Sequence, residues 1–317
     1  MFQKLGVVGC GDCVKNRWWP AINNASIDVK DVLICSLEPS CTLKGRPYTY
    51  KGNTFSHWDI PSDYLNNTLW IVATPPRYHL HYVKGLRNCK VMVEKPLDLS
   101  LDEIDVIKGD KNVIPVDHKL MNDSIQCLFQ KVDLLSNVNK VNITFYDQAG
   151  IINGRWQVDS LFDIQWHCLS LILALFKKVS QNAIIDINKC VVSYYTGVTP
   201  PKYQSVDVGT ASLLKGRISD GALREWEFTF RQCIGASYTD KTVILYGPGF
   251  GEYVRWDETG YKSHEKYLIE MFKPEPQLPQ SLGDAVEVLT VLVSAKGEME
   301  RELPYHFGTL PKFLLDK

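Results

Sequence analysis

The sequence predicts an α/β protein in two parts: a parallel α/β domain over residues 1–120, then an α+β domain with an open, mainly antiparallel sheet over residues 121–317. Three observations predict it. Short apolar runs alternate with helical patterns through the first 120 residues. Beyond them, strand-like runs follow one another at hairpin intervals with turn residues between. A glycine pair, Gly9 and Gly11, closes the first apolar run. Strands of a parallel sheet are covered on both faces and so read as continuous apolar runs, whereas consecutive strands with short links pair antiparallel.

In order, Lys4–Val8 reads as the first strand, and residues 17–23 lie in the helix after the glycine turn. Val32–Ser36 is a second strand. Residues 40–60 carry Gly, Pro and polar residues that break any helical period, and read as loop. Leu69–Ala73 and Lys90–Val93 are strands separated by a helix over 79–87, and Val113–Val116 closes the series. Lys140–Tyr146 opens the second part, followed by an apolar helix over 161–177. Strands are expected near 189–195, 206–214, 223–231, 241–247 and 252–256, with turns at Thr199-Pro200-Pro201, Ser219-Asp220-Gly221 and Gly247-Pro248-Gly249. Ala285–Lys296 forms a last helix.

Composition narrows the function. With 35 basic and 36 acidic side chains the net charge is −1, which provides no basic surface for nucleic acid or an anionic membrane. The length of 317 residues favours two domains, since single cores stop growing at about 250–300 residues. The apolar stretch Leu161–Phe176 is interrupted by Asp163, Gln165 and His167 and falls short of the roughly 20 apolar residues of a spanning helix. The glycine turn at Gly9 leaves no room for a signal peptide ahead of it. Nine cysteines, an odd number without repeated spacing, read as reduced thiols in a cytoplasmic protein. Cys10-Gly11-Asp12-Cys13 has no second CxxC to complete a zinc site, and no metal is expected.

Chemistry concentrates at the strand ends. Gly9 permits a tight turn, Gly11 lets backbone approach a pyrophosphate, and the helix that follows through Asp12 and Cys13 offers N–H groups and a favourable dipole. The third glycine of GxGxxG is missing, because Val14 stands there. At the second strand end, Ser36 and Glu38 are the candidates to read an adenosine ribose: the acid favours NAD, while Ser36 with Lys44 or Arg46 tolerates NADP, and the choice stays open. The fourth strand ends in Thr74-Pro75-Pro76-Arg77-Tyr78-His79 and the fifth in Glu94-Lys95-Pro96, both at the sheet edge where open α/β folds bind ligands. Asp163 and His167, four apart in an otherwise apolar helix, share a face; they form either a structural contact or an acid–base pair.

These segments together resemble the glucose–fructose oxidoreductase/inositol dehydrogenase (Gfo/Idh/MocA) family. The resemblance runs in order through GVVGCGD (6–12), VATPPRYH (72–79), VEKPL (93–97), LFDIQWH (161–167) and SLGDAVEVLTVLVSAKG (281–297). It implies an N-terminal Rossmann domain for NAD or NADP, with Thr74, Pro75, His79 and Glu94 beside the cofactor, and a homodimer or homotetramer built on the second domain's sheet. It also implies that Lys95 orients the substrate hydroxyl and nicotinamide, that the Lys95–Pro96 bond is cis, that His167 exchanges the hydroxyl proton and that Asp163 positions the substrate or His167. The implied substrate is a sugar, cyclitol or nucleotide-linked sugar. Val116-Asp117-His118-Lys119-Leu120 is similar to an element of glucose-6-phosphate dehydrogenases and nominates His118 and Lys119 as pocket residues. The chain departs from the family at Pro76, at Gln165 between Asp163 and His167, and at residues 156–160. The expected activity is an NAD(P)-dependent oxidoreductase acting on CH–OH groups; the alternative is a non-catalytic dinucleotide-binding sensor on the same fold.

Overall fold

The computed structural model describes residues 2–29, 31–35, 49–50, 65, 67–86, 88–147, 160–196, 210–234, 236, 238–256, 260–303, 305–306 and 309–315. It forms two compact units, each from two stretches of chain: Met1–Asn122 with Glu258–Leu289, and Asp123–Asp257 with Thr290–Lys317.

The first stretch contains β1 (Lys4–Val8), a π-helical turn over Val14–Trp18, α1 (Trp19–Asn24), β2 (Asp31–Cys35), β3 (Thr49–Tyr50), β4 (Thr68–Val72), α2 (His79–Gly85), β5 (Lys90–Glu94) and β6 (Val113–Val116). The six strands are all parallel, in the order β3-β2-β1-β4-β5-β6. Every residue of β4 is buried, as a strand covered on both faces requires. The π turn has a local cause. Pro20 has no N–H and its ring crowds the carbonyl four residues back, and just ahead of it the Trp19 N–H donates to Val14 O, five residues back. The expected helix over 17–23 therefore begins as a wider turn.

The next stretch contains α3 (Asp123–Phe129), α4 (Val132–Leu135), β7 (Lys140–Asp147), α5 (Ser160–Asp163), α6 (Gln165–Phe176), β8 (Ile184–Ser193), β9 (Tyr195–Thr196), β10 (Ala211–Ser219), β11 (Glu225–Ile234), β12 (Asp240–Gly247) and β13 (Phe250–Arg255). The chain ends with α7 (Lys262–Met271), α8 (Leu282–Gly297), β14 (Glu300–Arg301), β15 (Tyr305–His306) and α9 (Lys312–Leu315). The second sheet runs β13-β12-β7-β11-β10-β8-β14 and is mainly antiparallel, as expected, with parallel pairs at β7–β11 and β8–β14.

Two expected strands shift. The run expected at 189–195 is β8 at 184–193, because Ile185 and Ile187 alternate with Asp186 and Asn188 in a half-buried strand pattern ahead of the buried Cys190–Val192. Residues 206–209 of the run expected at 206–214 lie outside the described residues; the rest enters β10, which extends to Ser219, pairing with β11 throughout and with β8 across a register shift between Lys215 and Gly216. The expected 161–177 helix is divided at Ile164 into α5 and α6, and every residue of α6 except Ala174 is buried against the sheet. One expectation fails for the thiols: Cys10 is disulfide-bonded, and the other seven described cysteines form no disulfide. An odd count leaves one thiol over, and it does not forbid a pair.

Helix α7 joins the first unit's core. Its buried face, His264, Tyr267, Leu268 and Met271, follows helical spacing. Tyr267, Leu268 and Met271 lie in one apolar cluster with Val14, Trp18, Ala21 and Ile22. None of the described helices is long and apolar enough to cross a membrane.

Candidate active site

In the first unit the site is built at the carboxyl edge of the parallel sheet. Gly9 has φ +112°, and a Cβ there would stand 2.6 Å from Ala73 O. The same turn is tied to both neighbouring strands: Gly9 N–H donates to Cys35 O at 2.8 Å, and Ala73 N–H donates to Val8 O at 3.0 Å. Gly9 is thus fixed by the fold. Gly11 is not, since a Cβ there meets nothing within 4 Å among the described residues. Beside the turn, Thr74 Oγ1 is buried and meets no hydrogen-bond partner among the described residues. A glycine whose Cβ would meet none of the described residues and an orphaned hydroxyl in the same strand-end region fit a bound ligand.

His79 clasps the ends of β4 and β5. Its ring is buried, with Nδ1 2.8 Å from Pro96 O and Nε2 2.7 Å from Thr74 O. A neutral imidazole has a single N–H, so only one of the two carbonyls is satisfied by it. Burial pushes the His79 pKa below its ordinary value, and the two carbonyls pull it back up without prevailing. The Lys95–Pro96 peptide is cis.

Glu94, the last residue of β5, is 6% exposed and receives several donors. Trp18 Nε1 donates to Glu94 Oε1 at 2.7 Å, His264 Nε2 donates to the same oxygen at 3.0 Å, and the Cys13 thiol also bonds the carboxylate. Burial pushes the Glu94 carboxyl up, but the His264 hydrogen bond and charge, Lys95 and the Trp18 hydrogen bond together hold it below the ordinary value. The Cys13 thiol moves the other way: burial raises it well above its ordinary value, and the neighbouring carboxylate adds to the rise. The Cys13, Glu94 and His264 ligand atoms lie within 4.8 Å of one another.

The ring of His118 stacks on His264, with centroids 4.8 Å apart and planes at 20°. Asp117 shapes the short turn that carries His118 and Lys119, its Oδ1 accepting from Lys119 N at 3.1 Å. Tyr267 holds that turn from α7: its hydroxyl donates to Asp117 O at 3.1 Å and accepts from Asp117 N–H at 3.3 Å. The first unit therefore brings together Gly9, Gly11, Asp12, Cys13, Thr74, Pro75, His79, Glu94, Lys95, His118 and Lys119 along adjoining strand ends. Ser36 and Glu38 lie outside the described residues.

In the second unit, Asp163 ends α5 and His167 stands in the first turn of α6. His167 is 2% exposed, and its ring meets the edge of Trp256 at 6.3 Å between centroids. Gln165 sits between them in sequence but serves another purpose. Its Nε2 donates to Ser212 Oγ at 3.0 Å, Ser212 Oγ donates to Gln232 Oε1 at 3.2 Å, and Gln232 Nε2 donates to Thr210 O at 3.1 Å, a buried chain tying α6 to β10 and β11. Trp18, His264, Tyr267, Gln165 and Trp256 were not nominated from the sequence. The helical spacing of His264, Tyr267, Leu268 and Met271 was the available signal for α7.

No protein-family model matches the chain, and no curated protein matches it in sequence. Solved structures do match it. A glucose-6-phosphate 1-dehydrogenase from Mycobacterium avium aligns with TM-score 0.68 and 15% identity over 99% of this chain and 96% of that one. A myo-inositol 2-dehydrogenase from Lactobacillus plantarum aligns with TM-score 0.67 and 15% identity over 94% and 97%. The fold is that of the Gfo/Idh/MocA dehydrogenases. Neighbours sharing the Gfo/Idh/MocA fold differ in what they act on: a biliverdin reductase from Synechocystis, in complex with biliverdin and NADP+, aligns with TM-score 0.66 and 12% identity over 94% of this chain and 99% of that one.

Proposed function

We propose that the chain is an NAD- or NADP-dependent oxidoreductase that moves a hydride between the nicotinamide and a hydroxyl or ketone of a sugar, cyclitol or nucleotide-linked sugar. The observation that carries this reading is the edge of the parallel sheet at the point where strand order reverses between β1 and β4: there a Cβ on Gly11 would meet none of the described residues, and the Thr74 hydroxyl beside Gly9 has no hydrogen-bond partner among them. Dinucleotide complexes and sugar or cyclitol dehydrogenases among the fold neighbours support it.

Backbone N–H groups of Gly9, Gly11, Asp12 and Cys13 hold the pyrophosphate at the start of the helix. Ser36 or Glu38 takes the adenosine ribose, while Thr74, Pro75, His79 and Glu94 line the nicotinamide half. The bound nicotinamide supplies the hydride acceptor or donor. In the oxidation direction a ring nitrogen of His167 accepts the hydroxyl proton as the carbinol hydrogen departs with its electron pair, leaving a ketone. The Lys95 ammonium hydrogen-bonds the same oxygen and stabilises the developing alkoxide charge. Asp163 positions His167 or the substrate, and His118 and Lys119 contact the substrate. A homodimer or homotetramer is the proposed assembly.

Absorbance near 340 nm during incubation with NAD+ or NADP+ and a panel of sugars and cyclitols tests the reading. Turnover on at least one substrate is expected, with Lys95→Ala and His167→Ala each lowering kcat by about 10²–10⁴-fold while the dinucleotide still binds. Tight dinucleotide binding with no absorbance change on any substrate would sink the catalytic assignment.

A further inference from the structure

Strand order separates the two halves of a bound dinucleotide. The ribose-reading end of β2 lies on one side of β1, and β4 and β5 lie on the other, so the nicotinamide half passes over the end of β5. At that end stands Glu94, buried, with three donors from two segments converging on its carboxylate: Cys13 and Trp18 from the first turns after the glycine loop, and His264 from α7. A protonated carboxyl carries a donor of its own and accepts poorly at one oxygen, so a set made only of donors selects the carboxylate. In that contact the His264 Nε2 is the donor, and its Nδ1 meets no hydrogen-bond partner among the described residues. The ring is clamped between an edge contact with Trp18, centroids 4.8 Å apart, and the stack on His118.

We propose that Cys13, Trp18 and His264 form a donor cage that keeps Glu94 as a buried carboxylate at the end of β5, and that this fixed negative charge makes the site prefer the oxidised dinucleotide. The oxidised nicotinamide ring carries a positive charge and the reduced ring is neutral, so a nearby carboxylate attracts one form and is indifferent to the other. His264 is then a positioning residue acting through Glu94, contributed by a segment 170 residues away in sequence. The inference rests on the dinucleotide reading above and adds to it a determinant of which redox state is held.

The test compares dissociation constants for oxidised and reduced dinucleotide, by titration calorimetry, in the full-length wild-type protein, Glu94→Gln and His264→Phe. The phenylalanine keeps a ring between Trp18 and His118 and removes the donor. Glu94→Gln is expected to lower the oxidised-to-reduced affinity ratio by about tenfold or more, a lower bound for one charge–charge attraction across several ångströms at the effective dielectric of a partly buried site. His264→Phe is expected to shift the ratio in the same direction by less. A purely structural role for the cage would weaken both forms alike, and an unmoved ratio in both variants overturns the inference while leaving dinucleotide binding intact. A wild type that binds neither form overturns the dinucleotide reading, and this inference with it. Elemental analysis closes the remaining route: one equivalent of zinc in the wild type, lost in His264→Phe, would make the thiol, carboxylate and imidazole a metal site and overturn the cage.

Discussion

Gly9 and Gly11 stand two residues apart in one turn and answer to different demands. At Gly9 the backbone lies at φ +112° and a Cβ would press to 2.6 Å from Ala73 O, so the demand comes from the fold. At Gly11 a Cβ meets nothing within 4 Å among the described residues, so on the dinucleotide reading the demand comes from the ligand. Gly9→Ala is accordingly expected to cost about 1–3 kcal/mol of stability through backbone strain and the close approach. Gly11→Ala is expected to leave the melting temperature nearly unchanged and to weaken dinucleotide binding about tenfold or more. Thermal denaturation and dinucleotide titration of both variants check the pair. Equal loss of stability in the two would show that Gly11 serves only the turn.

At the scale of elements, α7 shows what the sequence makes legible and what it does not. Its buried face at His264, Tyr267, Leu268 and Met271 repeats at helical spacing, yet no helix was expected from the sequence between residues 256 and 285, so this short signal was missed. Its destination was not readable, because the Glu94 carboxylate and the Asp117 backbone lie 170 and 150 residues away, and periodicity carries no long-range information. The π turn over Val14–Trp18 was hidden for a local reason, since a proline signals only that the ladder is interrupted and not how it is repaired. Gln165 looked like an intrusion between Asp163 and His167, and in the structure it begins the polar chain through Ser212 and Gln232. Tyr267→Phe tests the α7 link directly. It removes a hydroxyl that serves both the N–H and the carbonyl of buried Asp117, and orphaning such groups costs about 1–3 kcal/mol. A lower denaturation midpoint in urea is expected; a midpoint within a few tenths of wild type would mean that another partner takes over.

For the whole molecule, five of the six strands of the parallel sheet were legible because burial on both faces writes long apolar runs, as in Thr68–Val72, while the two-residue β3 (Thr49–Tyr50) falls in the stretch read as loop. The antiparallel strands slipped by several residues at β8 and β10, where exposed and buried positions alternate and one register shift interrupts the pairing. The buried polar network that the sequence could not assemble has a global consequence in the pH dependence of stability. On the acid side, the His79 pKa is lowered in the folded state, first by burial, so the unfolded chain takes up a proton as pH falls through the ordinary value of 6.5 while the folded chain does not. Glu94 and Asp220 are also held below their ordinary values in the fold, so the unfolded chain again binds protons first as pH falls further. Asp98, raised by burial, opposes them in part. On the alkaline side, burial pushes Cys35 up to about 12 and also raises Cys13, Tyr146 and Tyr267, so the unfolded chain loses protons from about the ordinary thiol value of 9.0 upward while the folded chain keeps them. Both signs point inward. The denaturation midpoint is expected to be highest between these two values, to fall in a first acid step that begins at 6.5, and to fall again above 9.0. His79→Gln lowers the midpoint throughout, yet it removes the first acid step, because an amide has no proton to take up. Midpoints measured at intervals from about pH 5 to pH 10 decide the matter: a first step of undiminished size in His79→Gln would assign it to another group.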